Sequence, residues 1–195
     1  MTEKTEKAEK KKLGFAMCGS FCTHGQAIGV MQTLAGQYDV TPILSHSAYE
    51  TDTRFGSAAQ LREKIRAICG NDIISTIVES EKLAVHPLDL LLICPCTGNT
   101  AAKLANGITD TPVTMAAKAH LRTDRPLLVA LASNDAMSAN MRNIGALMQR
   151  KNVFFVPMKQ DDVVRKPHSL VADFSLCERS LELMAEGKQA RPLFL

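Results

Sequence analysis

The stretch Leu88-Asp-Leu-Leu-Leu-Ile-Cys-Pro-Cys-Thr-Gly-Asn-Thr-Ala-Ala-Lys-Leu-Ala-Asn-Gly107 decides the fold. Leu90 to Ile93 is an apolar run too short to span a membrane and suited to a strand buried on both faces. Pro95 is expected to end that run, because proline cannot donate to a sheet ladder. Thr97, Gly98, Asn99 and Thr100 read as a small polar turn. From Thr100 onward helix formers follow, with Ala101, Leu104 and Ala105 on one face and Gly107 as the C-cap. A buried strand, a tight polar turn and a helix start bring together free backbone N–H groups and the positive end of a helix dipole. With the hydroxyls of Thr97 and Thr100 added, these are the parts of an anion pocket. The same pattern also serves as a plain strand–helix connection that binds nothing.

Outward from this stretch the alternation repeats. Leu13 to Cys18 reads as a first strand, Gly19-Ser-Phe-Cys-Thr23 as its turn, and Gly25 to Leu34 as a helix. Tyr38 to Leu44 is a second strand, followed by a polar loop from Ser45 to Gly56. Ser57 is placed to cap a helix with Leu61, Ile65 and Ile68 along one face. Ile73 to Val78 is β-like, and Glu79 to His86 leads back to the central strand. Asp110 or Thr111 caps a helix that has Pro112 at its first position and runs to about Leu121. Leu127 to Leu131 is a fourth buried strand. Ser133-Asn134-Asp135 is expected to lead straight into a helix with Met137, Met141, Ile144 and Met148 on its apolar face. Asn134 is then either an N-cap or a residue free to touch a ligand. Val153 to Val156 is a fifth strand stopped by Pro157, Ser175 to Glu186 is a last helix, and Arg191 to Leu195 is an apolar end that docks. Strands alternating with helices predict a three-layer α/β/α parallel sheet in one domain over 13–195.

Composition narrows the function. The chain has 195 residues, 46% hydrophobic but only 5% aromatic, so its core is aliphatic, as a parallel sheet requires. The absence of Trp argues against a base-stacking platform or a carbohydrate cleft. The formal charge is +3, but residues 1–12 carry five Lys and three Glu, leaving 18 basic against 17 acidic side chains. A nucleic-acid surface is therefore not indicated. Met1–Lys12 lacks the apolar segment of a secretory signal and is expected to be a disordered, solvated arm. Six Cys without such a signal fit reduced thiols in a cytoplasmic protein.

In sheets of this kind ligands collect beyond the carboxyl ends of the strands. Three turns compete for that position: Gly19–Thr23, Ser45–Ala48 and Cys96–Thr100, the last flanked by Lys103. Together they suit a phosphate held by backbone and hydroxyl groups, whereas the absence of GxxxxGK[ST] argues against nucleotide hydrolysis. Cys18, Cys22, Cys94 and Cys96 all fall at strand ends and raise the question of zinc. CxxxC with CxC is not a usual zinc pairing, so small buried filler is the preferred reading and no metal is expected. His24 and His120 stand near these turns.

Taken together these residues resemble the flavoprotein family of flavin-dependent cysteine decarboxylases. Pro95, Thr97, Gly98, Asn99 and Thr100 are similar to that family's Pro-Ala-Ser-Ala-Asn-Thr segment. Leu131-Ala-Ser-Asn134 with Met137 falls where it has Pro-Ala-Met-Asn followed by Met, and Gly19-Ser20 matches its first phosphate turn. The resemblance implies a Rossmann-like, flavodoxin-type fold, homo-oligomers built on trimers, and FMN at subunit contacts. It puts Gly19, Ser20, Thr97, Gly98, Asn99 and Thr100 at the FMN phosphate, Pro95 among the cofactor-binding residues, and Ser45 and Ser47 near the ribityl chain or ring. Asn134 would be the catalytic residue beside the isoalloxazine.

Four further segments, Gly19–Thr23, Thr51–Gly56, Thr109–His120 and Lys166–Phe174, narrow the resemblance to one branch found in spore-forming bacteria. That branch implies one component of a two-subunit oxidoreductase acting in the mother cell. Its partner, an A subunit, would carry an NAD(P)-binding domain. The substrate would be a small dihydropyridine dicarboxylate that becomes aromatic, with the hydride passing to flavin or nicotinamide. Arg54, Lys118, Arg122 and Arg142 are candidates to hold it. Leu131 and Ser133 depart from the decarboxylase motif. A non-redox scaffold subunit and a flavin-dependent decarboxylase of cysteine derivatives stay open as alternatives.

Overall fold

A computed structural model of the chain describes residues 10–195. The arm expected at the N-terminus lies outside the described residues as far as residue 9, and the first strand already begins at Lys12. Strands β1 (Lys12–Met17), β2 (Asp39–Leu44), β3 (Leu90–Cys96), β4 (Leu127–Ser133) and β5 (Val153–Phe155) run parallel in the order β2-β1-β3-β4-β5. This is the flavodoxin-like winding, in which the chain reverses its direction of growth between β1 and β3.

The sheet is mostly rather than wholly parallel. Two short strands, β6 (Met158–Lys159) and β7 (Leu170–Ala172), pair antiparallel with each other, and β7 pairs antiparallel with the end of β4. The C-terminal segment docks along β6, where Met158 N–H donates to Leu193 O and Leu195 N–H donates to Met158 O.

Both sheet faces are covered. Leu90, Leu92 and Cys94 of β3 point into one core with α1 (His24–Gln37), α3 (Ala58–Cys69) and α8 (Cys177–Ala185). Leu91 and Ile93 point into the other, with α5 (Gly98–Ala105), α6 (Pro112–Leu121) and α7 (Met141–Met148). Every β3 residue is buried, as an uninterrupted apolar run requires.

Pro95 does not end this strand. Ile93 pairs with Val129 and Cys96 with Leu131, so the ladder shifts by one residue across Cys94-Pro95, whose peptide bond is cis. The bulge absorbs the missing N–H, while Pro95 O still accepts from Cys18 N–H at 3.1 Å. It also turns the chain over: by strict alternation Cys96 would share the face of Cys94, yet it lies in the opposite core.

Other expectations are corrected in the loops. The segment after β2 is not all loop, because Ser45 caps α2 (His46–Glu50), its hydroxyl accepting from Ala48 N–H. Ile73–Val78 is not a strand: only Ile74 bridges to Ile43, and Thr76 with Glu79 forms a capping box that starts α4 (Ile77–Glu81). Helix α5 begins at Gly98, two residues before the expected start, and its C-cap is Asn106. Ser57 and Thr111 cap α3 and α6 as expected, both with capping boxes. Helix α7 starts only at Met141, so Asn134 is no N-cap and Met141 is exposed rather than apolar-facing. Among the described residues no helix is long and apolar enough to cross a membrane.

Candidate functional site

At the carboxyl ends of β1, β2 and β3, where the winding reverses, the three polar turns enclose a cavity of about 370 Å³. It is lined by Gly19, Ser45, Ser47, Thr97, Asn99 and Thr100, six of the residues singled out from the sequence. Phe21 and His46, inside two of the expected turns but not singled out, also line it, as do Lys103, named only as a flanking residue, and Cys18 and Thr111, which sequence reasoning did not place there. Thr111 is a helix cap whose approach depends on how α6 packs on α5.

The cavity presents donors. Helix α5 enters with Thr97 as N-cap, whose Oγ1 accepts from Thr100 N–H at 3.2 Å. The Gly98 and Asn99 N–H groups belong to the first turn, where no intrahelical acceptor exists. The dipole of α5 adds partial positive charge at the same end. Thr97 Oγ1 donates to Thr100 Oγ1 at 3.0 Å, and Thr100 Oγ1 donates to Cys18 Sγ at 3.2 Å. A thiol sulfur is a weak acceptor, so an arriving oxyanion can take over the Thr100 proton at small cost. Burial pushes the Cys18 thiol up to about 11, so the cavity floor stays uncharged at neutral pH.

Lys103 Nζ, the ammonium at the rim, is held by Asp110 at 2.8 and 2.9 Å. The hydrogen bond from Lys103 keeps the Asp110 carboxyl below its usual range. An added Cβ on Gly19 would lie 3.2 Å from Ser47 Cβ, so the two turns nearly touch where the cavity narrows.

The remaining sequence candidates fall elsewhere. Ser20 caps the short turn Phe21–Thr23, its carbonyl accepting from Thr23 N–H and Oγ1. Pro95 is buried in the strand bulge. Gly98 is buried against a polar network from the β4–α7 connection. In that network Asp135 accepts from Ser133 Oγ at 2.5 Å and from Asn140 Nδ2 at 2.8 Å, and Asn143 donates to Asn140 Oδ1 at 2.9 Å. This network occupies the place of the helix start expected after Asn134. Asn134 itself is exposed at the carboxyl end of β4, outside the cavity lining.

His24 is buried, its Nε2 lying 2.7 Å from Cys18 O, and His120 Nε2 lies 2.9 Å from Pro126 O. Burial lowers both imidazoles below the usual range, so both serve the fold as neutral rings. Cys22 is exposed, whereas Cys18, Cys94 and Cys96 are buried, with burial raising each thiol. Among the described residues no three His, Cys, Asp or Glu lie together as a metal would need. Arg54 packs over the Phe55 ring at 4.9 Å, and Lys118 and Arg122 line a separate cavity. A larger hollow of about 700 Å³ between α1 and β7 is lined by Asp161, Asp173 and Glu178 against one cation, Lys159, which is already paired with Asp173, so its charge balance disfavours a phosphate.

Comparison with known proteins agrees with this fold. The flavoprotein family model matches residues 1–174. The B subunit of dipicolinate synthase from Bacillus subtilis (strain 168) is 38% identical over 187 residues, covering 95% of this chain and 94% of that protein. The crystal structure of the same B subunit from Bacillus halodurans C superposes with a TM-score of 0.88 at 38% identity, covering 96% of this chain and 97% of that one. The FMN-dependent cysteine decarboxylase SpaF shares the fold, with a TM-score of 0.67 at 22% identity over 90% of this chain and 97% of its own. The chain belongs to the flavoprotein family and, within it, groups with the B subunits of dipicolinate synthase.

Proposed function

We propose that this chain is the FMN-binding subunit of a dipicolinate synthase in a spore-forming bacterium. It would help to convert a dihydrodipicolinate-type precursor to dipicolinate (pyridine-2,6-dicarboxylate) beside an A subunit that binds NAD(P). The observation that carries the reading is the donor-lined cavity at the β1/β3 reversal of a flavodoxin-like sheet, in a chain of this family. Its donor set fits a phosphate monoester: first-turn N–H groups of α5, the Asn99 amide, hydroxyls of Ser45, Thr97 and Thr100, and Lys103 at the rim. When bound, the flavin supplies two-electron chemistry.

The chain's own part is binding and orientation. Thr100 turns its hydroxyl from Cys18 to the anion, Lys103 shares its charge between Asp110 and the ligand, and Ser45 has a proton to donate while its oxygen caps α2. Asn134, exposed on the same edge of the sheet, is free to meet a ligand that extends from the cavity. Homo-oligomerisation and a site completed between copies are part of this reading, and both come from the family resemblance.

The test is a visible spectrum and an FMN titration of the purified full chain. Saturable, stoichiometric binding is expected, weakened on the order of tenfold by Asn99→Ala or Thr100→Val, the loss of one hydrogen bond to a charged group. A colourless protein that ignores FMN would refute the cofactor reading. It would favour a second one, a scaffold subunit whose partner does the redox chemistry. The exposure of Asn134, away from the cavity lining, is what keeps that second reading in play.

A further inference from the structure

A second cavity, of about 410 Å³, lies on the other side of the loop that joins α5 to α6. Its rim carries Lys118 from the last turn of α6, Arg122 at that helix's C-cap, and Arg150 from just beyond α7. Its floor is apolar, made by Leu104, Ile108 and Leu121, and Ile108 is 46% exposed to solvent. No Asp or Glu lines it, and none of the three cations takes part in an ion pair among the described residues.

The position of each cation has a local rationale, because all three lie near helix C-termini, where positive charge is favoured. Arg150 also donates through Nη2 to Ala105 O at 3.1 Å, capping the end of α5. That bond uses one N–H of the guanidinium, leaving the remaining donors for another partner. What capping does not explain is three like charges lining one cavity that has exposed apolar surface and no counter-charge in its lining. An anion with an apolar body resolves both features, since its charged ends meet the rim and its body covers the floor.

We infer that this cavity is a binding site for a small carboxylate with an apolar body, favouring a dicarboxylate, with Arg122 and Arg150 both in its lining. It is distinct from the phosphate cavity but shares a wall with it. Lys103 and Thr111 line the first cavity, Leu104 and Thr109 line the second, and the Lys103–Asp110 ion pair ties that wall together. The preference for a dicarboxylate and the choice of pyridine-2,6-dicarboxylate as probe rest on the dipicolinate reading.

The experiment is calorimetric titration of the full chain, in metal-free buffer, with pyridine-2,6-dicarboxylate, benzoate and inorganic phosphate in turn. The dicarboxylate should bind once per chain, tighter than benzoate and much tighter than phosphate, and more weakly as salt rises. Arg122→Gln and Arg150→Gln should each weaken it on the order of tenfold, with FMN titration and thermal midpoint serving as controls for folding. Asn99→Ala should leave it unchanged. No binding, equal binding in the Arg variants, or displacement by FMN would overturn the assignment, and phosphate binding that Arg122→Gln and Arg150→Gln weaken as much as they weaken the dicarboxylate would overturn the role of the apolar floor. Because FMN binding is read separately, failure here and failure of the flavin reading are distinguishable.

Discussion

Gly98→Ala probes why a glycine stands at the start of α5. A Cβ built there would lie 2.7 Å from Asn140 Nδ2 and 2.8 Å from Asp135 Oδ1, and closer still to Ser133 Oγ. The obstruction is not one flexible side chain, because all three atoms belong to the hydrogen-bonded network around Asp135. The methyl must push that network apart or shift α5 away from β4. Overpacking of this kind costs about 1–3 kcal/mol, and losing one hydrogen bond to a carboxylate adds about 1.5–3 kcal/mol. Replacing glycine in a helix returns at most about 1 kcal/mol. A net loss of about 2–4 kcal/mol follows, or a fall in Tm of roughly 5–15 °C for a chain of this size. Gly29→Ala is the control: it is helical, with nothing within 4 Å of an added Cβ, and should be neutral or stabilising by up to about 1 kcal/mol. The assay is thermal unfolding of the three proteins, with FMN titration alongside. A Gly98→Ala chain as stable as wild type would refute the packing argument. If it also failed to bind FMN, the glycine would instead serve close approach of the backbone to the phosphate.

Acid sensitivity follows from the two buried imidazoles. Burial lowers His24 and His120 below 6.5 in the folded chain, so below about pH 6.5 the unfolded chain binds more protons. Their contribution is complete above that pH and declines as pH falls toward the folded values, by at most about 1.4 kcal/mol per pH unit for each ring. Urea midpoints at pH 7.5 and 5.5 should therefore differ less in His24→Gln/His120→Gln than in wild type, and equal differences would count against the assignment. Thiol chemistry gives an independent reading of burial. Cys22 is exposed, while Cys18 and Cys69 are pushed to about 11 and Cys94 and Cys96 well above the usual value. At pH 7.5 a thiol of pKa 11 is thiolate to only roughly one part in three thousand. An aromatic disulfide reagent should modify one cysteine rapidly, and Cys22→Ser should abolish that phase. Fast modification of Cys18, Cys94 or Cys96 in the folded chain would contradict the packing of the strand ends.

What the chain declares locally is legible in its sequence, and what it settles at a distance is not. Strands β1 to β4 announce themselves by their buried apolar residues, and the caps at Ser57 and Thr111 are visible because the bonded groups stand three residues apart. The hydroxyls of the site are legible for the same reason, since they sit in the turns that follow those strands. Helix α4 is also written locally, in Thr76 and Glu79, but the β-branched run Ile73–Val78 outweighs that signal. Strands β6 and β7 have two and three residues, too few for a period, and exist because the end of β4 offers them a partner. The late start of α7 is set by Asp135, whose carboxylate gathers Ser133 and Asn140, and whose carbonyl accepts from the Ser138 and Asn140 N–H groups. Those local bonds compete with helix formation, and what makes them worth forming is burial against Gly98. Pro95 carries the same lesson in one residue. As a local rule it forbids a ladder N–H, and by that rule the apolar run stops there. Held between β1 and β4 it instead produces the bulge, which sends Cys96 to the face opposite Cys94 and starts α5 immediately behind Thr97. The residue that looks like the end of the strand is thus what aims the strand's final turn at the cavity, a consequence that only the neighbouring strands could determine.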